Sequence, residues 1–151
     1  MKALMPAAMA FALAVTGTSR ASLVAHWPLD ETSGTVAADA VGDNDGTLSG
    51  NPVWEPARVR PSGSLVFDGK DDYITTRFAL DPAKGPFSAF LWALGNEAGK
   101  VLIAQQDFGG IGQAWLVAGT TTGNLGTELT DARGQVRALY ADAVLTDGRW
   151  H

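Results

Sequence analysis

From residue 22 onward the chain alternates short apolar runs with clusters of Gly, Asp, Asn, Pro and Thr. No stretch of this region repeats its apolar residues with the 3.6-residue period of an amphipathic helix. Short apolar runs separated by turn-forming residues are typical of strands in a β-sandwich or barrel. The pattern predicts eight strands: Leu23–Trp27, Ser64–Phe67, Tyr73–Arg77, Phe87–Leu94, Val101–Gln105, Ala114–Ala118, Thr127–Leu129 and Val136–Ala141.

Turn-forming dipeptides and tetrapeptides separate these runs. They are Asp45-Gly46, Ser49–Pro52, Asp68-Gly69, Gly109-Gly110 and Gly123-Asn124. Gly supplies a positive φ and Asn or Asp bonds its own backbone, so each of these sites predicts a change of chain direction. A single helical turn is conceivable at Ala37–Val41, where Gly42 would end it.

The segment Phe87–Leu94 is apolar at almost every position and therefore on both faces of a strand. Such a strand is expected in the middle of a sheet that is covered on both sides. With no internal repeat and no linker after residue 22, we predict one all-β domain over residues 22–151, in which this segment lies in a sandwich of two packed sheets.

The first 21 residues have the composition of a signal peptide. Lys2 precedes an apolar stretch from Ala3 to Val15, and small residues at Ser19 and Ala21 suit cleavage after Ala21. A membrane anchor is the alternative, but the apolar stretch is shorter than the roughly 20 residues needed to span a bilayer. We therefore predict a secreted or cell-surface protein that is not inserted in the membrane after cleavage.

Composition and charge exclude several classes of function. Hydrophobic residues make up 46% of the chain and charged residues 18%, which indicates a folded domain rather than a disordered one. The formal net charge of −5 disfavours nucleic acid as a partner, because phosphate binding needs a basic surface. The chain has no cysteine, which excludes disulfides, a thiolate zinc site and a cysteine nucleophile.

The last seven residues, Leu145–His151, place a turn at Asp147-Gly148 and then a new apolar residue, Trp150. A strand usually follows such a turn, and a sheet without it has an unpaired edge. The pattern favours a sandwich whose last strands are missing from this chain, and a naturally short tail is the alternative.

Several segments together resemble a known family. They are Leu23–Trp54, Gly63–Thr76 with its Phe-Asp-Gly-x-Asp-Asp-Tyr-Ile string, Phe87–Ala93, and Leu145–His151 with Thr-Asp-Gly-x-Trp-His. In this order they resemble the LamG-like jelly-roll domain of the concanavalin A-like lectin/glucanase superfamily, in the type found in exported bacterial proteins. The resemblance implies two curved antiparallel sheets, and further strands after the Trp-His pair.

Catalysis is not expected. Some glucanases of the superfamily carry closely spaced glutamates on one strand, which act as acid and nucleophile. The four glutamates here, Glu31, Glu55, Glu97 and Glu128, do not have that spacing. Nor does the chain contain a Gly-x-Ser-x-Gly nucleophile motif.

A structural calcium ion is the cofactor that the sequence suggests. The loop from Asp39 to Gly46 offers Asp39, Asp43, Asn44 and Asp45 as oxygen ligands, the donors that calcium prefers. This loop is similar to the calcium loop of many domains of this fold, although it is shorter and has Asp43 where Asn is usual. A second acidic cluster lies at Asp68–Asp72. The alternative is that these side chains only cap their own turns.

Sugar binding would need an exposed aromatic ring beside polar groups. Trp54, Tyr73 and Trp115 are the candidate rings, with Asp107 and Gln113 as nearby polar residues. Trp27, Trp92 and Trp150 lie in apolar runs and are expected in the core.

The sequence therefore predicts a secreted, non-catalytic binding or adhesion module, with extracellular carbohydrate or a surface protein as its partner. Two alternatives stay open: a structural accessory domain of a larger surface protein or secreted enzyme, and a degenerate glycoside hydrolase.

Overall fold

The structure is a computed structural model, and it describes residues 22–56, 63–79, 86–95, 97–106, 112–119, 121–130 and 133–151. The predicted signal peptide and the predicted turn at Gly109-Gly110 lie outside these residues. Within them the chain forms nine strands and no helix. Their bounds are β1 Val36–Ala37, β2 Gly46–Ser49, β3 Val53–Glu55, β4 Ser64–Val66, β5 Tyr73–Thr75, β6 Val101–Gln106, β7 Gly112–Ala118, β8 Asn124–Thr130 and β9 Val136–Val144.

The strands form three antiparallel sheets. Two are small, with the orders β1-β2-β5 and β3-β4, and the third is a four-stranded meander, β6-β7-β8-β9. The prediction of an all-β antiparallel fold is confirmed, and the arrangement is consistent with a β-sandwich. In the described parts of the chain, no helix is long and apolar enough to cross a membrane.

The two small sheets share one hydrophobic core. Its buried members are Ala37, Leu48 and Leu65, which come from β1, β2 and β4. Leu48 is directly opposite Ile74 of β5, and Leu65 is opposite Trp54 of β3. Trp27, Leu29, Trp54 and Ile74 cover this cluster as half-buried neighbours. Cross-strand pairs of this kind contribute much of the stability of a sheet.

The sequence pattern did not predict β2, because Asp45-Gly46 has the composition of a turn. In the structure Gly46 is the first residue of β2, directly opposite Ala37. A Cβ atom at Gly46 would lie 2.5 Å from Cγ2 of Ile74, so this glycine allows a bulky side chain from β5 to cross the strand. The prediction of a turn at Asp45-Gly46 is wrong, because the chain bends earlier, at residues 40–43, and Gly46 is already paired in the sheet. At Ser49–Pro52 and Asp68-Gly69, by contrast, Gly50 and Gly69 have positive φ, as turns require.

The predicted central strand Phe87–Leu94 is also absent. Residues 86–95 are irregular apart from one antiparallel bridge between Leu94 and Trp150. Phe90 is 92% exposed and Trp92 is 74% exposed, so the apolar character of this segment does not correspond to burial. The predicted first strand, Leu23–Trp27, is irregular as well. The remaining six predicted strands all coincide with observed ones, from β4 to β9.

The four-stranded sheet ends at β9, whose nine residues are all exposed. β9 pairs along one side with β8, from Thr130↔Val136 to Asn124↔Val144, with a register shift between Asn124 and Gly126. Because side chains alternate along a strand, the residues opposite Gly126 and Glu128, Tyr140 and Ala138, are on the same face of the sheet as those two. This face carries the candidate site described next.

Candidate functional site

An open cleft lies between the β7–β8 turn and the end of β9. Its volume is about 370 Å³, and it is lined by residues of the turn and of the last strand: Gly119, Thr121, Thr122, Asn124, Tyr140, Ala141 and Asp142. Backbone hydrogen bonds shape the turn, because Gly123 N donates to Gly119 O at 3.0 Å and Gly119 N donates to Asn124 O at 2.8 Å. Gly123 has a φ of 70°, which a glycine adopts without strain. The cleft is therefore built on a well-bonded hairpin.

Tyr140 provides the aromatic surface of the cleft. One edge of its ring packs against Gly126, since a Cβ atom at that position would lie 2.5 Å from Cε1 of the ring and closer still to Cδ1. Gly119 lies under the same edge of the ring, where a Cβ would be 3.2 Å from Cε1. The two glycines thus leave room for one edge of the ring, Cδ1–Cε1, to lie against the backbone, while 44% of the residue remains exposed.

A hydrogen bond fixes the rotation of this ring. The Tyr140 hydroxyl donates to Oε1 of Glu128, which is on β8 and on the same face of the sheet. The bond to this carboxylate raises the pKa of Tyr140 above its ordinary value, because the neutral hydroxyl is the form that donates. Tyr140 is therefore neutral near pH 7 and held in one orientation.

The polar groups of the cleft differ in what they can offer a ligand. The side chain of Asn124 is engaged at both ends: Nδ2 donates to Ala141 O at 2.9 Å, and Oδ1 accepts the hydroxyl of Thr122. The carboxylate of Asp142 has no hydrogen-bond partner among the described residues. Beside the ring, Asp142 thus presents a hydrogen-bond acceptor that is open to solvent.

The predicted calcium loop is organised around Asp39, whose side chain is buried. Its Oδ1 accepts the N–H groups of His26 and Val41, and its Oδ2 accepts the backbone N–H and the side-chain amide of Asn44. The His26 N–H, followed by the Val41 and Asn44 donors, holds the pKa of Asp39 well below its usual range. Asp45 supports the same loop, since its Oδ1 accepts the N–H of Asp39 at 2.9 Å.

The hydrogen bonds made by Asp39 affect whether this loop can bind calcium as predicted. Calcium takes six to eight oxygen ligands, and both oxygens of Asp39 already accept N–H donors from the chain. The side chains of Asp39, Asp43 and Asp45 do not converge on a common point within 4.8 Å. As folded here, the loop fits the alternative stated above, in which Asp and Asn side chains hold their own turns. Calcium at Asp39, Asp43, Asn44 and Asp45 stays a prediction.

The second acidic cluster does converge. Carboxylate oxygens of Asp68, Asp71 and Asp72 lie within 4.8 Å of one another, the one such group among the described residues. Asp72 also accepts the N–H groups of Asn51 and Asp68, at 2.7 and 2.9 Å, and so joins this loop to the turn after β2. The Lys70 N–H lowers the pKa of Asp68. Asp68 and Asp72 therefore hold the turns of this loop through backbone N–H groups.

The structure differs from the sequence prediction in which aromatic residues are buried and which are exposed. Trp27 and Trp54 are half-buried, and their Nε1 atoms donate to Asn44 O at 2.9 Å and Gly34 O at 2.8 Å. Tyr73 is 56% exposed on β5. The expectation that Trp92 and Trp150 belong to the core is wrong, because they are 74% and 36% exposed. The side chains of Trp115 and Gln113, and all of Asp107, lie outside the described residues.

Tyr140 was not among the predicted ligand-binding residues. The sequence signal for it is weak, because Gly126 follows the predicted turn Gly123-Asn124 by two residues, whereas the structure places it inside β8. A glycine inside a strand often marks the close approach of another group. The register that brings Tyr140 over this glycine becomes visible only in the sheet.

Comparison of the chain with protein-family models, with curated proteins and with solved structures gives no match.

Proposed function

We propose that the protein is a secreted, non-catalytic binding module with a jelly-roll fold of the LamG-like type, and that it binds extracellular carbohydrate at the Tyr140 cleft. The resemblance of the sequence, the all-β antiparallel fold and the composition of residues 1–21 support the class. The proposal of a carbohydrate ligand rests on the ring of Tyr140. Tyr140 is 44% exposed, the Cδ1–Cε1 edge of its ring lies against glycine backbone, and it lines the cleft together with polar residues.

The chemistry of sugars matches this surface. A pyranose has an apolar face of C–H groups and a rim of hydroxyls, so it can lie on an aromatic ring while its hydroxyls bond to polar neighbours. Sites of this kind combine apolar or aromatic surface with a few well-placed polar groups. In the cleft, Tyr140 supplies the ring, and Asp142 and Thr121 supply polar groups at its edge.

A glycan array probed with the full chain, followed by titration of the best ligand, tests this proposal. Replacing Tyr140→Ala removes the ring, and we expect affinity to fall about tenfold or more, because aromatic anchors dominate such contacts. Tyr140→Phe keeps the ring against the two glycines and should retain most of the affinity. Tyr73→Ala removes a tyrosine that is somewhat more exposed, at 56%, but lies on β5, so it should bind like the unmodified protein.

Two results would refute the proposal. One is the absence of binding to any glycan on the array by a chain that is folded by circular dichroism. The other is an affinity that Tyr140→Ala and Tyr73→Ala change to the same extent.

A protein partner is the second candidate, and a specific observation favours it. Phe90, Trp92 and Leu139 are 92%, 74% and 73% exposed, and large exposed apolar side chains are typical of surfaces that meet another protein. Under this alternative the domain is a structural accessory of a larger surface protein or enzyme. Binding that is lost in Trp92→Ser and retained in Tyr140→Ala would favour it.

A further inference from the structure

The charges around the Tyr140 cleft are one-sided. Asp142 lines the cleft, and Glu128 lies behind the ring as the acceptor of its hydroxyl. The lining contains no lysine or arginine among the described residues. Arg137, the basic residue of β9, is opposite Leu129 and so on the other face of the strand from Tyr140. The cleft therefore offers negative charge beside an apolar ring.

The hydrogen-bonding capacity of the cleft points the same way. Asn124 uses one amide N–H on Ala141 O and one lone pair of Oδ1 on the Thr122 hydroxyl, which leaves it one further N–H, whereas the Asp142 carboxylate keeps all of its acceptor sites. An ionised carboxylate accepts hydrogen bonds and donates none. A ligand group next to Asp142 must therefore be a donor, either a hydroxyl or, with added charge attraction, an ammonium group.

We infer that the Tyr140 cleft selects sugars by charge, binding amino sugars most tightly, neutral sugars less tightly, and uronic acids least. This inference rests on the proposed function, since it specifies the ligand class of the same site. The ring binds all three classes through their C–H faces, and Asp142 discriminates among them. The roles of the two side chains can therefore be separated by experiment.

The size of the effect follows from Coulomb's law. Two unit charges about 4 Å apart in a water-like dielectric interact strongly enough to change an equilibrium about fivefold. Attraction of an ammonium group and repulsion of a carboxylate each contribute about that factor, so amino and uronic sugars should differ roughly 25-fold at low ionic strength. Salt should compress the difference, because the Debye length falls to about 8 Å at 0.15 M.

The test uses three β-1,4-linked hexamers, of glucosamine, glucose and glucuronate, titrated into the full chain by calorimetry at low salt and pH 6. We expect the affinities to fall in that order, and to become equal within about twofold in Asp142→Asn. Asp30→Asn is the matched control, because it removes the same charge from an exposed loop residue outside the cleft and should keep the ranking. Thermal melting of each variant verifies that it is folded.

The outcomes separate the two proposals. Equal binding of all three hexamers, a reversed order, or a ranking that survives in Asp142→Asn would overturn the charge selectivity and leave sugar binding at the cleft in place. If the unmodified chain binds none of the three hexamers and no glycan on the array, both proposals are overturned together.

Discussion

Placing a methyl group under the Tyr140 ring, by Gly126→Ala, is the sharpest test of the geometry on which the site depends. In the structure the new Cβ would lie 2.5 Å or less from two ring carbons, whereas carbon atoms in contact are normally about 3.5–4.0 Å apart. The ring must therefore move by about 1 Å or more. Such a movement would strain its hydrogen bond to Glu128 and tilt the aromatic surface of the cleft.

The expected cost follows from what surrounds the glycine. Forcing an extra methyl group into a packed site costs about 1–3 kcal/mol. Apart from the ring, the nearest atom to the new Cβ is Cγ2 of Val117 at 3.2 Å, which a shift of a few tenths of an ångström relieves. Gly126 does not have a positive φ, so alanine fits the backbone and even gains about 0.5–1 kcal/mol by restricting the unfolded chain.

A double-mutant cycle measured by urea unfolding isolates this contact. Gly126→Ala should lower the free energy of unfolding by about 1–3 kcal/mol in the unmodified chain. In the Tyr140→Ala background the same change should be neutral or slightly stabilising, which gives a coupling energy of about 1–3 kcal/mol. Equal costs of Gly126→Ala in both backgrounds would show that the ring does not lie over this glycine, and the proposed site would lose its basis.

Three further predictions concern the core and the acidic loops. Leu48→Ala should lower the free energy of unfolding by about 2–4 kcal/mol, because Leu48 is 9% exposed in the core shared by the small sheets. Leu139→Ala on β9 should change the free energy of unfolding by no more than about 0.5 kcal/mol. Similar urea midpoints for the two variants would contradict this prediction. The native pKa of Asp39 lies below its unfolded value, so this carboxylate stabilises the fold above pH about 4, and the contribution is lost as the pH falls through the native pKa. Asp39→Asn should therefore be less stable than the unmodified chain at pH 7. The difference in melting temperature between the two proteins should narrow below pH about 4. If calcium binds, millimolar calcium should raise the melting temperature and chelator should reverse the rise. Loss of this response in Asp43→Asn but not in Asp71→Asn would locate the ion in the loop Asp39–Asp45, and the opposite pattern would locate it at Asp68–Asp72. No response of the melting temperature at all would contradict the calcium prediction.

The all-β class and the strands from β4 onward followed from the sequence because apolar runs and turn residues alternate there with a strand-like spacing. The strand prediction fails where a local sequence pattern is used for residues whose position depends on the rest of the fold. Phe87–Leu94 is apolar on both faces, and that pattern was interpreted as burial. In the structure its large side chains are exposed, so apolar composition alone did not determine which surface covers them.

Gly46 in β2 and Gly126 beside the cleft show why the other features of the fold and the site could not be predicted from the sequence. Gly46 and Gly126 both lie inside strands, each beneath a bulky side chain of a neighbouring strand: Ile74 in one case and Tyr140 in the other. A sequence records the glycine but not its partner, because the partner depends on strand register, which is set by the pairing of whole strands. Since a glycine in a strand costs stability, its presence needs a compensating contact. In β2 that contact is a core residue, whereas in β8 it is a ring that remains 44% exposed, and packing alone does not require an exposed ring to be held so firmly. That difference is the physical reason for locating ligand binding at Tyr140 rather than at the acidic loops, where Asp39 and Asp72 already accept N–H groups of the chain.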